Sequence, residues 1–278
     1  MSEARSTLPH AMPVNRLELT MLGSGTSMGV PTLGCHCAVC CSTDPHDKRT
    51  RPSILLSRED HGVIHNAVID TTPDFRFQAL RAGIDRLDAV VFTHAHADHI
   101  LGFDDIRPYN MRQKMALPVY ASDATIETLR RTFAYVFAPA PAGLLIPQVT
   151  LHPIHGPFEL LGAKFTPIPA EHGPLQVFGF RVGGMAYLTD FGRLPESSKA
   201  LLTDLDDFIL DALRDEPQPM HQTVEQAVAL VRELRPRRAW FTHIAHDLPH
   251  EATNARLAAM GLPNVQLGYD GLRIEVRV

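Results

Sequence analysis

The chain has 278 residues, 45% hydrophobic and 21% charged, with a formal net charge of −5 at pH 7, a composition that suits a globular protein with a real core. The acidic balance argues against a general nucleic-acid binder, and no apolar run is long enough for a secretory leader or a membrane span. The expectation is a cytoplasmic protein with a short mobile tail over residues 1–15 and one domain over 16–278.

In chain order, Leu17–Leu22 alternates and reads as a strand, and the glycines of 23–34 make a long loop. Ser53–Ser57 and Val63–Ile69 read as two strands, with Glu59-Asp60-His61-Gly62 between them as a hairpin turn. Pro73–Arg81 reads as a helix stopped by Gly83. The β-branched run Ala89–Phe92 reads as a buried strand. Ser122–Phe137 reads as a helix capped by Ser122 or Asp123. Residues 138–157, rich in proline, read as an irregular loop. Lys164–Ile168, Val177–Val182 and Met185–Leu188 read as strands, the last two joined at Gly183-Gly184. Phe208–Leu210, Ala239–Phe241 and Arg273–Val278 read as further strands. Residues 221–235 read as a helix with Val224, Val228, Val231 and Leu234 on one face. Strands and helices interleave without a linker, so the fold class is α/β.

Chemistry concentrates in Thr93-His94-Ala95-His96-Ala97-Asp98-His99. Alternate residues of extended backbone point the same way, so His94 and His96 can share one metal. Asp98 and His99 follow one turn later and can face a neighbouring ion. Imidazole and carboxylate suit zinc, manganese or iron. A surface histidine-rich turn is the rival reading, and the buried run Val90-Val91-Phe92 before it argues against that. All four cysteines fall at Cys35, Cys37, Cys40 and Cys41. Clustered thiols suggest metal ligation rather than a disulfide framework. Adjacent Cys40 and Cys41 would have difficulty reaching one ion, so three cysteines plus a distant ligand fit a tetrahedral zinc better. A reduced thiol cluster without metal is the alternative.

His-x-His-x-Asp-His after an apolar strand is the signature of the metallo-β-lactamase superfamily, and this chain resembles that superfamily over most of its length. The resemblance implies a four-layer αββα sandwich, two mixed sheets with helices on the outer faces. Residue by residue, it implies further ligands at Glu171-His172-Gly173, Tyr187-Leu188-Thr189-Asp190 and Trp240-Phe241-Thr242-His243. His94, His96 and His172 would then hold one divalent ion, and Asp98, His99 and His243 a second, with Asp190 bridging. The two ions would be zinc or manganese, and a shared hydroxide the nucleophile. Asp98 counts as catalytic as well as a ligand.

Gly23-Ser24-Gly25-Thr26-Ser27-Met28-Gly29-Val30-Pro31, Gly34-Cys35-His36-Cys37-Ala38-Val39-Cys40 and Thr242-His243-Ile244-Ala245-His246 resemble the phosphodiesterase branch typified by PhnP. That resemblance implies a structural zinc on Cys35, Cys37, Cys40 and His246, leaving Cys41 spare. The glycine run lacks the Gly-Lys-Ser/Thr ending of a P-loop, so its glycines are expected to let the backbone pass close to the metals. His221 resembles a histidine that donates a proton to the leaving group, with Asp211 or Glu225 to orient it. A helix-start histidine is the rival. Arg107 is a candidate phosphate contact or a partner of Asp104 or Asp105, while Tyr109 and Asn110 are weaker candidates and His152 and His155 are expected to be solvated.

The leading expectation is a phosphodiesterase for a small cyclic phosphate or nucleotide-like ester, acting on a small molecule, with a homodimer allowed by the resemblance. Thioester, lactone or β-lactam hydrolysis is the second enzyme class, and a non-hydrolytic PqqB-like biosynthesis protein the third reading. A tRNA-processing nuclease ranks low because no lysine- or arginine-rich arm is found.

Overall fold

The computed structural model describes residues 16–139 and 144–278; the expected tail, 1–15, lies outside them. The first half supplies β1 (Arg16–Gly23), β2 (Ser53–Asp60), β3 (Val63–Ile69), β4 (Ala89–Val91), β5 (Leu117–Ala121) and β6 (Val149–Pro153). The second half supplies β7 (Phe158–Leu160), β8 (Ala163–His172), β9 (Leu175–Val182), β10 (Met185–Leu188), β11 (Asp207–Asp211), β12 (Arg238–Thr242) and β13 (Val265–Leu267), and β14 (Arg273–Arg277) returns to the first sheet. One sheet runs β14-β1-β2-β3-β4-β5-β6, the other β13-β12-β11-β10-β9-β8-β7. Both are mixed: β1–β3 pair antiparallel and β3–β6 parallel, while β7–β10 pair antiparallel and β10–β13 parallel.

Strand alternation builds the four layers. Ile54, Leu56, Ile69 and Val91 face Phe165, Phe180, Tyr187 and Ile209 between the sheets. Their neighbours Leu55, Val68 and Val90 pack outward with Phe75, Ala79, Ile126 and Leu129 of the helices Phe75–Ala82 and Asp123–Thr132. On the second sheet Ala186, Leu188, Phe208 and Leu210 meet Val224, Val228 and Val231 of the helix Val224–Leu234. This is the metallo-β-lactamase sandwich, with period-2 strands giving each sheet two apolar faces.

Local chemistry explains most boundaries. His61 and Gly62, both at positive φ, turn β2 into β3 as a two-residue hairpin requires. Gly83 ends its helix at φ 67°. Thr223 and Gln226 form a capping box, so that helix starts at Val224 and leaves His221 in the loop before it. The expected 122–137 helix breaks at Phe133.

Proline misled the reading elsewhere. Residues 149–153 are not loop but β6, the edge strand beside β5, where Pro153 closes the strand without interrupting it. β5 itself contains Pro118 and escaped notice. β8 runs far past Ile168 because β7 pairs only with Ala163–Phe165. Between Thr166 and Ala170 it has β9 as its one partner strand, where Pro167 and Pro169 fit, and Glu171 adds a bridge to Arg193.

Candidate metal centres

The candidate residues arrive at the carboxyl ends of strands from both sheets. β3 delivers Asp70, β4 delivers Thr93 and His94, and a short helix Ala97–Ile100 carries Asp98 and His99. β8 ends on His172, β10 leads to Asp190, β11 ends on Asp211, and β12 leads to His243. Asp70, Asp190 and His243 all take positive φ, at 68°, 55° and 59°. Non-glycine residues seldom adopt that conformation unless the surroundings enforce it, and such strain gathers at functional sites.

Two donor groups form. His94, His96 and His172 bring one ligand atom each within 4.8 Å of one another, and so do Asp98, His99, Asp190 and His243. Asp190 also comes within that distance of His172 and His221, so it reaches towards both groups. Its carboxylate lies 3.3 Å from His99 Nε2 and 3.1 Å from His243 Nε2. Most of the cluster is buried, while His96 and Asp98 are half-buried at its open side. Nε2 of His94, His99 and His243 is buried without a hydrogen-bond partner. Buried polar atoms are seldom left so, and these nitrogens, one in the first donor group and two in the second, suit bound cations.

Further groups orient the rings through Nδ1. Asp70 Oδ2 lies 2.7 Å from His99 Nδ1 and accepts from Thr93 Oγ1 at 2.7 Å. The Met220 carbonyl lies 2.8 Å from His172 Nδ1, and Asp211 Oδ2 lies 2.8 Å from His221 Nδ1. Each contact leaves Nε2 as the available nitrogen. Asp70 and the Met220 carbonyl are functional groups that the sequence reading missed. Asp70 stands alone in Ile69-Asp70-Thr71 with no motif to mark it, and a backbone carbonyl leaves no residue signal.

Burial works against charge throughout this cluster. At His94 burial prevails and holds the ring well below its usual pKa. At Asp98, burial is outweighed by His99 and His243, and at Asp190 by His243 and His99, so both carboxyls are held low. The same contacts hold His99 well above its usual range, against burial. They push His243 up to about 10, again against burial. Burial lifts the Asp70 carboxyl although His99 pulls it down. Carboxylates this crowded need positive charge: protons on His99 and His243 supply it, and a divalent cation is the alternative that leaves both rings as neutral donors.

The cysteine group is separate. His246 Nδ1 lies 3.2, 3.5 and 3.4 Å from the sulfurs of Cys35, Cys37 and Cys40. A tetrahedral zinc with ordinary Zn–S and Zn–N lengths puts those edges at about 3.5 Å, so the four residues fit the ion. The Cys40 N–H, 3.4 Å from Cys37 Sγ, draws that thiol down to about 7, while burial pushes the Cys40 thiol up to about 11. Cys41 is exposed and outside the group.

Other candidates fall elsewhere. Arg107 donates to the Leu145 carbonyl at 3.0 Å and pairs with Asp104 at 3.4 Å, so no geometry supports its phosphate contact. Tyr109 and Asn110 are buried and bonded to the backbone of Ile84, Met115 and Gln148. Glu225 is exposed on its helix, leaving Asp211 as the partner of His221. His155 bonds Asp123, and His152 stacks on Tyr120 in β6. Gly23 and Gly25 serve a purpose other than the expected approach to metals. A Cβ on Gly23 would lie 1.9 Å from the Arg51 carbonyl, and one on Gly25 2.8 Å from that of Arg49. The run makes room for the 49–51 segment. A surface groove of about 810 Å³, lined by Leu17, Ser57, Asn66 and Arg273 among others, includes none of the site residues.

Residues 65–244 match the beta-lactamase superfamily domain, and the chain belongs to that superfamily. The crystal structure of a diphosphatase from the PhnP family superposes with a TM-score of 0.85 at 48% identity, covering 95% of this chain and 98% of that one; within the superfamily the chain is PhnP-like. An octanoyltransferase of Porphyromonas gingivalis is 38% identical over 255 residues, 91% of this chain but 50% of that protein. The chain thus spans about half the length of that curated relative. Zinc-bound PqqB from Methylobacterium extorquens shares the fold, with a TM-score of 0.72 at 18% identity over 92% of this chain and 99% of that one. Family, fold and donor groups together support metal-dependent hydrolysis. Among the described residues no helix is long and apolar enough to cross a membrane.

Proposed function

We propose that the chain is a dinuclear phosphodiesterase acting on a small cyclic phosphate or a nucleotide-like phosphodiester, with residues 16–278 as one hydrolase domain. The observation that carries this reading is the pair of adjoining donor groups with Asp190 in reach of both and the His221–Asp211 pair beside them. In this reading His94, His96 and His172 hold one divalent ion and Asp98, His99 and His243 the other, with Asp190 between. Zinc or manganese suits these donors. Cys35, Cys37, Cys40 and His246 hold a structural zinc. When bound, the two ions acidify a shared water and offset charge on the phosphoryl oxygens.

The chain's own residues do the rest. Asp98 and Asp190 set the negative field that draws the ions in. Asp70 and the Met220 carbonyl fix two of the rings so that little reorganises during reaction. His221 is the proton donor. Its ring stands 4.8 Å from that of His172 and 4.6 Å from that of His243, centroid to centroid. Asp211 holds it by Nδ1, leaving Nε2 to protonate the departing oxygen as the P–O bond breaks.

The 48%-identical diphosphatase favours a second reading of the same site, cleavage of a P–O–P linkage in a nucleotide-like diphosphate. One metal-loaded preparation assayed on bis(p-nitrophenyl) phosphate, a cyclic ribose phosphate, a dinucleoside diphosphate, an acyl thioester and a β-lactam decides the matter. Turnover is expected on the phosphorus substrates. Thioester or lactam cleavage with all three silent overturns the proposal, and that arm also reads the acyl chemistry named in the Porphyromonas relative. Light scattering on the same sample tests the homodimer.

A further inference from the structure

His243 and His246 belong to different donor groups, yet three residues separate them. The segment that carries both, 243–248, is held by the cysteine side of the molecule. Ser24 O accepts from Ile244 N at 2.9 Å, and Thr26 N donates to Ile244 O at 3.1 Å. The strongest hold is Arg49, whose side chain is fully buried. Its Nη1 donates to Ala245 O at 2.9 Å and its Nη2 to Leu248 O at 2.7 Å. Nη2 also meets Asp47 Oδ1 at 3.0 Å, and Nε donates to His46 O at 3.2 Å. Asp47 Oδ1 accepts from His250 N at 2.9 Å, so acid and base grip the same segment. A buried guanidinium is tolerated when its donors are used and its charge is paired. Meanwhile the Arg49 backbone exchanges two hydrogen bonds with Val30, at 2.7 and 2.8 Å. Val30 packs with Val39 and Cys40. Arg49 therefore holds the cysteine loop with its backbone and the His243–Leu248 segment with its side chain.

We propose that Arg49 is a positioning residue that couples the thiolate group to the His243 half of the catalytic pair. Loosening the first weakens the ion on Asp98, His99 and His243 and spares the ion on His94, His96 and His172. Those three histidines sit on the turn after β4 and at the end of β8, which Arg49 does not hold. The positive φ of His243 makes the coupling direct, because a residue in that conformation stays there only while its neighbours enforce it. The inference rests on the metal-site reading above.

Cobalt substitution separates the sites, since only the cysteine group gives a thiolate–cobalt charge-transfer band, and ions removed by chelator without loss of that band belong to the histidine–aspartate groups. Arg49→Met keeps the apolar stem and removes every donor. It is expected to diminish the thiolate band and to shift the chelator midpoint of one catalytic ion about tenfold, the size usual for residues that orient ligands, leaving the other unchanged. Arg49→Lys keeps the charge beside Asp47 but cannot span two carbonyls, and should fall between. If Arg49→Met does not fold, Cys35→Ser empties the thiolate group from the other side and should produce the same one-sided loss. Catalytic ions that are unaffected, or that weaken together, overturn the coupling. Wild-type protein that binds fewer than three ions or lacks the thiolate band overturns the metal-site reading itself, a result visible before any Arg49 variant is made.

Discussion

The two donor groups lie three residues apart along the chain at His243 and His246, yet they are built in opposite ways. The cysteine group takes three donors from one short loop and a fourth from His246, the four that a closed tetrahedral site would use, with no position over for substrate. The histidine–aspartate group takes seven donors from strand ends of both sheets and from the turn and short helix after β4, spreads them over two adjoining groups, and keeps His96 and Asp98 half-buried at an open side. Two of its rings are braced, His99 by Asp70 and His172 by the Met220 carbonyl. A closed, loop-built group suits architecture. An open, strand-built group with braced ligands suits chemistry, because a reacting atom needs a vacant position and ligands that do not move.

The largest expected effect breaks that contrast at its centre. Asp190→Ala removes the carboxylate that lies near both His99 and His243. Phosphodiester turnover should fall by about 10³-fold or more, and elemental analysis should find one catalytic ion lost while the cysteine-bound zinc stays. Two catalytic ions retained at full affinity would mean that Asp190 is no bridge.

His221→Ala should sharpen it. Here the metals stay and only the proton donor goes, so turnover of an ester with a poor alkoxide leaving group should drop about 10²-fold or more. A p-nitrophenyl ester, whose leaving group needs no proton, should lose far less. Equal losses on both would return His221 to a structural role. Asp70→Asn is expected to act more gently, weakening the ion held by His99 by about 10- to 100-fold. Competition against a chelator reads it, and an unchanged midpoint would show that the 2.7 Å contact does not tune the ligand.

These residues also show how far the sequence was legible. Two signals were local: His94 to His99 compresses four donors into six positions, and Cys35 to Cys40 compresses three into the same length. Each is visible because backbone geometry brings near neighbours to one ion. The distant partners His172, Asp190, His243 and His246 carry no such signal, and only the order of a known family's motifs pointed to them. β1 was readable from its alternation, and β4 and β11 from short continuous apolar runs. β5, β6 and the far half of β8 were hidden by Pro118, Pro153 and Pro169, since a proline reads as a break until the unpaired side of its strand is known. Arg49 could not be told from the chain's other basic residues, because its role depends wholly on which carbonyls surround it.

The smallest prediction probes the support behind the cysteine group. His250 gives its N–H to Asp47, and its ring packs against His46 and Tyr269. Burial, with His46 and Arg49 adding to it, pushes its pKa down from the usual 6.5 to about 4. The unfolded chain therefore takes up this proton between about pH 6.5 and 4 while the folded protein resists it, so stability falls as pH drops through that window. The loss across that window is on the order of a few kcal/mol. His250→Gln should flatten that part of the stability–pH curve, measured by urea unfolding at pH 7, 5.5 and 4.5, and should leave turnover at pH 7 unchanged. If wild type and variant lose stability in parallel on acidification, the acid sensitivity lies in other groups.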